Sequence, residues 1–338
     1  MIRTLGGKLI ISVAGIFVIA IVIVMTYNYK TTSIEVQNLY KTIQETVLDA
    51  SYTTINITMN IEAKQHLDAI SRSILELDKH DIISQRRVLL RAEELIKYPS
   101  IYIVYEDDGS LIVQDYDTSK SVQSLSPNFD NEGDLRTRDW YQKTKQQQQG
   151  IITPTYINQG GIYAGKMMST ATYPLIKNGR FIGVIGIDFF VENFQERFEN
   201  FRREELPSLD VYITDSTGNI FSHRDLAIVA DTSLSPQEVQ LSSELKKSTN
   251  GEFVYFDSHG QERLGVYRQF PFGWTIVVSS KTEDYTNAIN KYFFYSVVIS
   301  ILILGIGVFL LFLFIRKLIA PVEKIKNVLL HFFKYINY

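Results

Sequence analysis

The chain has 338 residues, of which 45% are hydrophobic, and a formal net charge of −3. That length accommodates two globular units rather than one, and the mixed, slightly acidic charge carries no footprint for nucleic acid. Cysteine is absent, which excludes disulfides, thiol catalysis and cysteine-based zinc sites, and agrees with an oxidising compartment.

The first predicted element is an apolar helix over residues 9–29, and a second covers residues 292–315; neither carries a charged side chain. At about 1.5 Å rise per residue, each spans the ~30 Å hydrocarbon core of a bilayer. The first run is too long for the apolar region of a signal peptide and lacks a small-x-small cleavage end, so it reads as a retained anchor. Arg3 and Lys8 precede the first helix; Arg316, Lys317, Lys324 and Lys326 follow the second. The outer flanks mix signs. By the positive-inside rule, residues 1–8 and 316–338 are expected in the cytoplasm and residues 30–291 outside.

Residues 30–98 are expected as a long extracytoplasmic helix. Val36, Leu39, Ile43, Val47, Ala50, Thr54, Ile57 and Ile61 recur at spacings of 3 or 4, the period of a coiled coil. That stripe fits packing on the chain's own domain or pairing with a second chain. The run Thr53–Thr58 is rich in β-branched residues, so packing must hold the helix there.

After Pro99 the pattern turns to strands. "SIYIVYEDDGSLIVQDY" is a hairpin signal around Asp107-Asp108-Gly109, and "LDVYITDSTGNIFSHRD" repeats it around Gly218. Each unit closes with a glycine-led apolar strand, "GVIGIDFF" from Gly183 and "GWTIVVSS" from Gly273. The repetition predicts two tandem α+β lobes, over residues 99–190 and 206–290, joined by a charged helix at 191–205.

Between the two hairpins lies "RTRDWY". If Arg136–Trp140 is extended, Arg136, Arg138 and Trp140 share a face. Asp139 would then cap a short helix, with Gln142 as its capping-box partner. The guanidinium of Arg138 suits a carboxylate; Trp140 and Tyr141 supply rigid walls. Asp188 lies on an apolar strand face with Ile182, Val184 and Gly186, a costly place for an unpaired carboxylate. It either pairs with a nearby arginine or loop amide, or meets a ligand ammonium.

The set "RTRDWY", "TPTYI", "TYPLIKNGRFIGVIGIDF", "DSTGNIFSHRD" and "FPFGWTI", in this order between two membrane helices, resembles the double Cache (dCache) family of extracytoplasmic sensor domains. The resemblance covers most of residues 30–290. It implies an α+β fold, with a long N-terminal helix followed by two tandem PAS-like lobes and flanked by two transmembrane helices. The constellation is similar to the amino-acid-recognising subset of these domains. That likeness implies ligand-binding roles for Arg138, Trp140, Tyr141, Tyr156 and Asp188, with the carboxylate at the arginine end and the amine at Tyr156 and Asp188. One position departs: the subset has a tyrosine five residues before the arginine, where this chain has Gly133. An amino acid, another small carboxylate or amine, or no small ligand all remain open. Trp274, Tyr255 and Phe272 of the second lobe are expected in core and lobe-interface packing, without a comparable charged set.

No enzyme is expected. The five histidines are scattered and none has metal-ligand spacing; no nucleophile elbow or phosphate loop is present. No cofactor or metal is expected. After the second membrane helix, Pro321 is expected to open an amphipathic helix, and "PVEKIKNVLLHFFKYIN" is similar to the HAMP-like segment of methyl-accepting chemotaxis proteins of the Campylobacter-like type. The expectation is the sensory and membrane part of a chemoreceptor, truncated after the second membrane helix. It would be a homodimer in the bacterial inner membrane, contacting kinase and adaptor only through residues beyond this chain. Alternatives are the input module of a histidine kinase or diguanylate cyclase, or a tethered binding protein that transmits nothing.

Overall fold

The computed structural model describes residues 5–115, 133–158, 163–191, 194, 198, 201, 204, 206–225, 228–229 and 236–336. Helix α1 (Leu5–Ile55) passes through a π-helical segment (Asn56–Glu62) into α2 (Ala63–Leu75), and α3 (Ile82–Ile96) follows. The π segment begins within the β-branched run, where side-chain crowding weakens the α-helix.

Residues 30–98 are not the single helix that their pattern predicts. A turn separates α2 from α3, and polar side chains hold it. Asp78 accepts from the His80 amide at 2.8 Å, and Asp81 caps α3 by accepting from the Ser84 amide at 3.0 Å. Such local bonds outcompete a helical ladder.

The apolar stripe also divides. Val36 and Val47 are buried, whereas Leu39, Ile57 and Ile61 are exposed. The packing face of the helix's C-terminal half runs through Gln44, Val47, Leu48, Ser51 and Ile55. Gln44 Nε2 donates to Leu264 O at 2.9 Å and Ser280 Oγ at 3.0 Å, and the Tyr52 ring stacks on Phe270 at 4.5 Å. This half therefore packs on its own domain, partly through polar residues that a hydrophobic pattern leaves out.

The first lobe contains β1 (Ser100–Tyr105), β2 (Leu111–Asp115), β3 (Ile151–Ile152), β4 (Tyr156–Ile157), β5 (Met167–Lys177) and β6 (Arg180–Phe190). They form an antiparallel sheet in the order β2-β1-β6-β5-β3, with β4 also on β5. The second lobe contains β7 (Asp210–Thr214), β8 (Ile220–Ser222), β9 (Asn250–Phe256), β10 (Glu262–Gln269) and β11 (Thr275–Lys281), in the order β8-β7-β11-β10-β9. The two sheets follow the same path: an edge hairpin, then the lobe's last strand, then the strands before it in reverse. Gly109 (φ +71°) and Gly218 (φ +93°) occupy the hairpin turns, where a left-handed backbone favours glycine. The expected pair of PAS-like lobes is thus present. The helix expected at 191–205 falls largely outside the described residues.

Helices α2 and α3 cover one face of the first sheet. The Tyr105 hydroxyl donates to Gln85 of α3 at 2.7 Å, and Tyr98 meets Phe189 edge-on at 5.2 Å. The opposite face carries Tyr102, Val104, Thr170, Thr172, Val184, Gly186 and Asp188 by strand alternation. In register, Tyr102 and Thr172 flank Gly186, and Thr170 lies opposite Asp188. Helix α4 (Asp139–Gln147) packs here through Tyr141, which joins Val104, Leu135 and Val184. In the second lobe, α5 (Pro236–Leu245) lies against β9.

Two compact units divide the chain: Thr42–Thr282, and Met1–Lys41 with Glu283–Tyr338. In the latter, Tyr40 packs edge-on to Tyr285 at 4.9 Å and Tyr29 to Phe293 at 5.1 Å. Helix α6 (Thr282–Ile336) is continuous, with Pro321 inside it. Pro321 does not open a separate helix as expected. Helices at both ends of the chain are long and apolar enough to cross a membrane, with windows of mean hydropathy 2.0 and 3.1.

Candidate ligand site

The approach to α4 differs from the extended strand expected for Arg136–Trp140. Leu135–Thr137 is a 3₁₀ turn capped by Asp134, whose carboxylate accepts from the Arg136 amide at 3.0 Å. This turns Arg136 away from Arg138. Its guanidinium pairs with Asp134 at 2.7 Å, donates to Glu106 O at 2.7 Å, and lies against Gly109. Arg136 thus ties the turn to the β1–β2 hairpin. The N-cap of α4 is Arg138, in extended conformation, and no side chain caps the helix. Asp139 occupies the first helical turn, pairing with Lys143 at 3.5 Å, while Gln142 donates to Arg136 O at 2.6 Å. The expected capping box does not form, because the chain reaches helical geometry one residue earlier.

Arg138, Trp140, Tyr156 and Asp188 all line one cleft of about 1430 Å³. Trp140 is half-buried and meets Tyr102 edge-on at 5.7 Å. Asp188 Oδ1 accepts from Thr170 Oγ1 at 2.6 Å and from the Tyr156 hydroxyl at 3.3 Å; that hydroxyl lies 2.9 Å from Thr170 Oγ1. A carboxylate on this half-apolar face is thereby held by hydroxyl donors. Arg138 is exposed on the rim. Cationic and anionic groups of one cleft, walled by aromatic rings, suit a small polar molecule bearing both charges.

Tyr141 is placed elsewhere. It is fully buried under α4 and does not line the cleft. Its hydroxyl donates to Glu106 Oε2 at 2.9 Å, and Lys145 pairs with the same carboxylate. Burial, reinforced by the Glu106 charge, pushes the phenol far above its ordinary range. Burial also works to raise Glu106, but Lys145 and Tyr141 together hold it below the usual carboxylate value. Tyr141 therefore anchors the helix that presents Trp140.

A Cache domain model (dCache_1) matches residues 36–289. The chain belongs to the Cache domain family. Among solved structures, this Cache domain is similar to the sensory domain of the Campylobacter jejuni chemoreceptor Tlp3 (TM-score 0.61, 18% identity, 76% of this chain and 99% of that one). It is also similar to the ligand-binding domain of Mlp24 with asparagine (TM-score 0.54, 18% identity, 77% and 99%). A third likeness is to the extracellular domain assigned to a histidine kinase, mmHK1S-Z3 (TM-score 0.59, 15% identity, 75% and 97%). A comparison with curated proteins finds no match.

Sequence reasoning missed several cleft residues of this Cache domain. Tyr102 is one: it has no motif signal, but its ring lies over Gly186, where any Cβ would sit 2.5 Å from Tyr102 Cζ. The glycine in "GVIGIDFF" was the available sign. Ser216, Phe272 and Gly273 of the second lobe also line the cleft. The corresponding face of the second sheet is filled by Tyr212, Phe253, Tyr255 and Val277 packed with Leu241. Beside that core lie two pairs of ionisable side chains that sequence reasoning did not single out. His223 Nε2 lies 3.2 Å from Asp210, and Arg263 lies 3.6 Å from Asp257. These residues come from separate segments and form no local motif.

Proposed function

We propose that the chain is the sensory and transmembrane module of a chemoreceptor whose first lobe binds an amino acid or a similar small carboxylate or amine. The observation that carries this reading is the shared cleft of Arg138, Trp140, Tyr156 and Asp188. The ligand carboxylate meets the Arg138 fork, the ammonium meets Asp188 and Tyr156, and Trp140 packs on the carbon chain. Related support comes from Tlp3 domains solved with L-valine and isoleucine and the Mlp24 domain with asparagine. Tyr141 acts in this reading by seating α4 and not by touching ligand. The module works as a homodimer in the bacterial inner membrane, with the sensor outside, and reaches kinase and adaptor through a cytoplasmic output. The likeness to mmHK1S-Z3 favours a second reading, the input module of a histidine kinase.

Calorimetry tests the site. Arg138→Ala is expected to weaken the cognate ligand about 30-fold or more, since a truncated charge-assisted contact costs roughly 2–5 kcal/mol. Asp188→Asn is expected to weaken an amine-bearing ligand and spare its des-amino acid. Unchanged affinity in Arg138→Ala removes this pocket assignment. Signalling is tested by joining residues 1–336 to the cytoplasmic part of a chemoreceptor. Ligand is expected to change kinase activity in the chimera; a chimera that binds ligand without any such change indicates a passive tethered binder.

A further inference from the structure

Three sequence motifs, "TPTYI", "DSTGN" and "FPFGW", converge at one joint between the two lobes. Between β3 and β4 the chain leaves the first sheet as a short strap, Thr153-Pro154-Thr155. Thr153 stays tied to β5: its amide donates to Thr170 O at 2.9 Å, and its Oγ1 accepts from the Thr170 amide at 2.9 Å. Thr155 turns the other way. Its amide and its hydroxyl both donate to Asp215 Oδ2 of the second lobe, at 3.1 and 3.0 Å. Trp274 Nε1, also from the second lobe, donates to Thr153 O at 3.3 Å.

Asp215 is 3% exposed and Trp274 is fully buried. Asp215 Oδ1 is already taken by the Thr217 amide at 2.8 Å and the Thr217 hydroxyl at 2.6 Å. The Thr155 donors satisfy the other oxygen. A buried carboxylate is costly unless its oxygens are bonded, so undocking the strap would leave Asp215 under-satisfied. The residue after the strap is Tyr156, whose hydroxyl reaches Asp188. Thr155, Tyr156, Ser216 and Phe272 line the same cleft, so the joint forms part of its wall.

We propose that Asp215 and Trp274 are positioning residues of the ligand site: from the second lobe they hold the strap that aims Tyr156 at Asp188, so occupancy of the cleft and docking of the second lobe are one linked equilibrium. This rests on the reading of Tyr156 and Asp188 as the amine-binding arm. By linkage, the factor by which a ligand that engages Tyr156 favours the docked joint equals the factor by which docking raises ligand affinity, so a joint weakened enough to undock lowers that affinity.

Two measurements on the full chain in nanodiscs test it. The first uses hydrogen exchange without ligand, in wild type, Asp215→Ala and Thr155→Ala. Exchange across residues 153–158 is expected to speed about tenfold or more in Asp215→Ala and by less in Thr155→Ala, with β6 unchanged. Thr155→Ala keeps the Asp215 carboxylate and its bonds within the second lobe, so it remains informative if Asp215→Ala loosens the whole fold. An unaltered strap in both variants overturns the proposal. The second uses calorimetry with the tightest binder from a screen of the twenty L-amino acids, and its des-amino acid. Thr155→Ala is expected to weaken the amino acid about fivefold in the wild-type background and to have no further effect in Tyr156→Phe. Effects that multiply independently overturn the positioning role. If no amino acid or des-amino acid binds, the ligand reading fails, and the exchange experiment still decides whether the joint orders the strap.

Discussion

At the residue scale, His223 shows how burial selects a protonation state. Its Nδ1 accepts from the Asp225 amide at 2.8 Å, which leaves the proton on Nε2, facing Asp210 at 3.2 Å. The neutral ring satisfies both neighbours, whereas a second proton would displace the amide bond. Burial lowers the imidazole below its ordinary value, and Arg263 adds to this; Asp210 pulls the other way without reversing it. With the folded value below the unfolded one, about 6.5, the unfolded chain binds the extra proton first. The contribution of His223 to stability is therefore complete above about pH 6.5 and is lost as pH falls below that toward the lower folded value. The thermal midpoint is expected to start dropping as pH falls below about 6.5, above the range of ordinary carboxylates, and His223→Gln to flatten that dependence. An equal slope in wild type and variant removes the assignment to His223. Arg138 and Arg136 show the complementary lesson. The two look equivalent in "RTRDWY", but the Asp134-capped turn turns one to the hairpin and leaves the other at the cleft.

At the element scale, the close approach of β1 and β6 shapes the cleft. Gly186 leaves room for the Tyr102 ring, which lies where a Cβ would be, and Tyr102 in turn packs on Trp140. Gly186→Ala is expected to drive the ring toward Trp140. It should cost about 1–3 kcal/mol of stability, as overpacking does, and it should narrow the cleft. Chemical denaturation and calorimetry on the same variant check both effects. Tyr102→Ala combined with Gly186→Ala should recover part of the lost stability but not the affinity. The hairpins, their turn glycines and the glycine-led strands were legible because period-two alternation and turn chemistry are local. The π segment was not, because the helical stripe to Ile61 runs across it, and the α2–α3 turn was not, because short polar bonds decide where the helix ends.

At the scale of the whole molecule, two long apolar helices flank a Cache domain matched over residues 36–289. Lysine and arginine concentrate before the first and after the second, so the positive-inside rule predicts that the Cache domain lies outside. Cysteines introduced at Ser258, in the second lobe, and at His331, beyond the second apolar run, test this. An impermeant maleimide on intact cells is expected to label the first and not the second; the reverse pattern would invert the topology.

By itself the sequence determined the lobes, the two long apolar helices and the family, because periodicity, turn residues and apolar length act over a few neighbours at a time. It also pointed to Arg138, Trp140, Tyr156 and Asp188 as cleft residues. Only the tertiary structure decided that Tyr141 is an anchor, that Tyr102 and Phe272 join the cleft, and that Thr155 of the first lobe bonds Asp215 of the second. Those outcomes depend on which side chains meet across sheets and lobes. Such contacts are set by register and burial between segments far apart in the chain, and no local pattern encodes them.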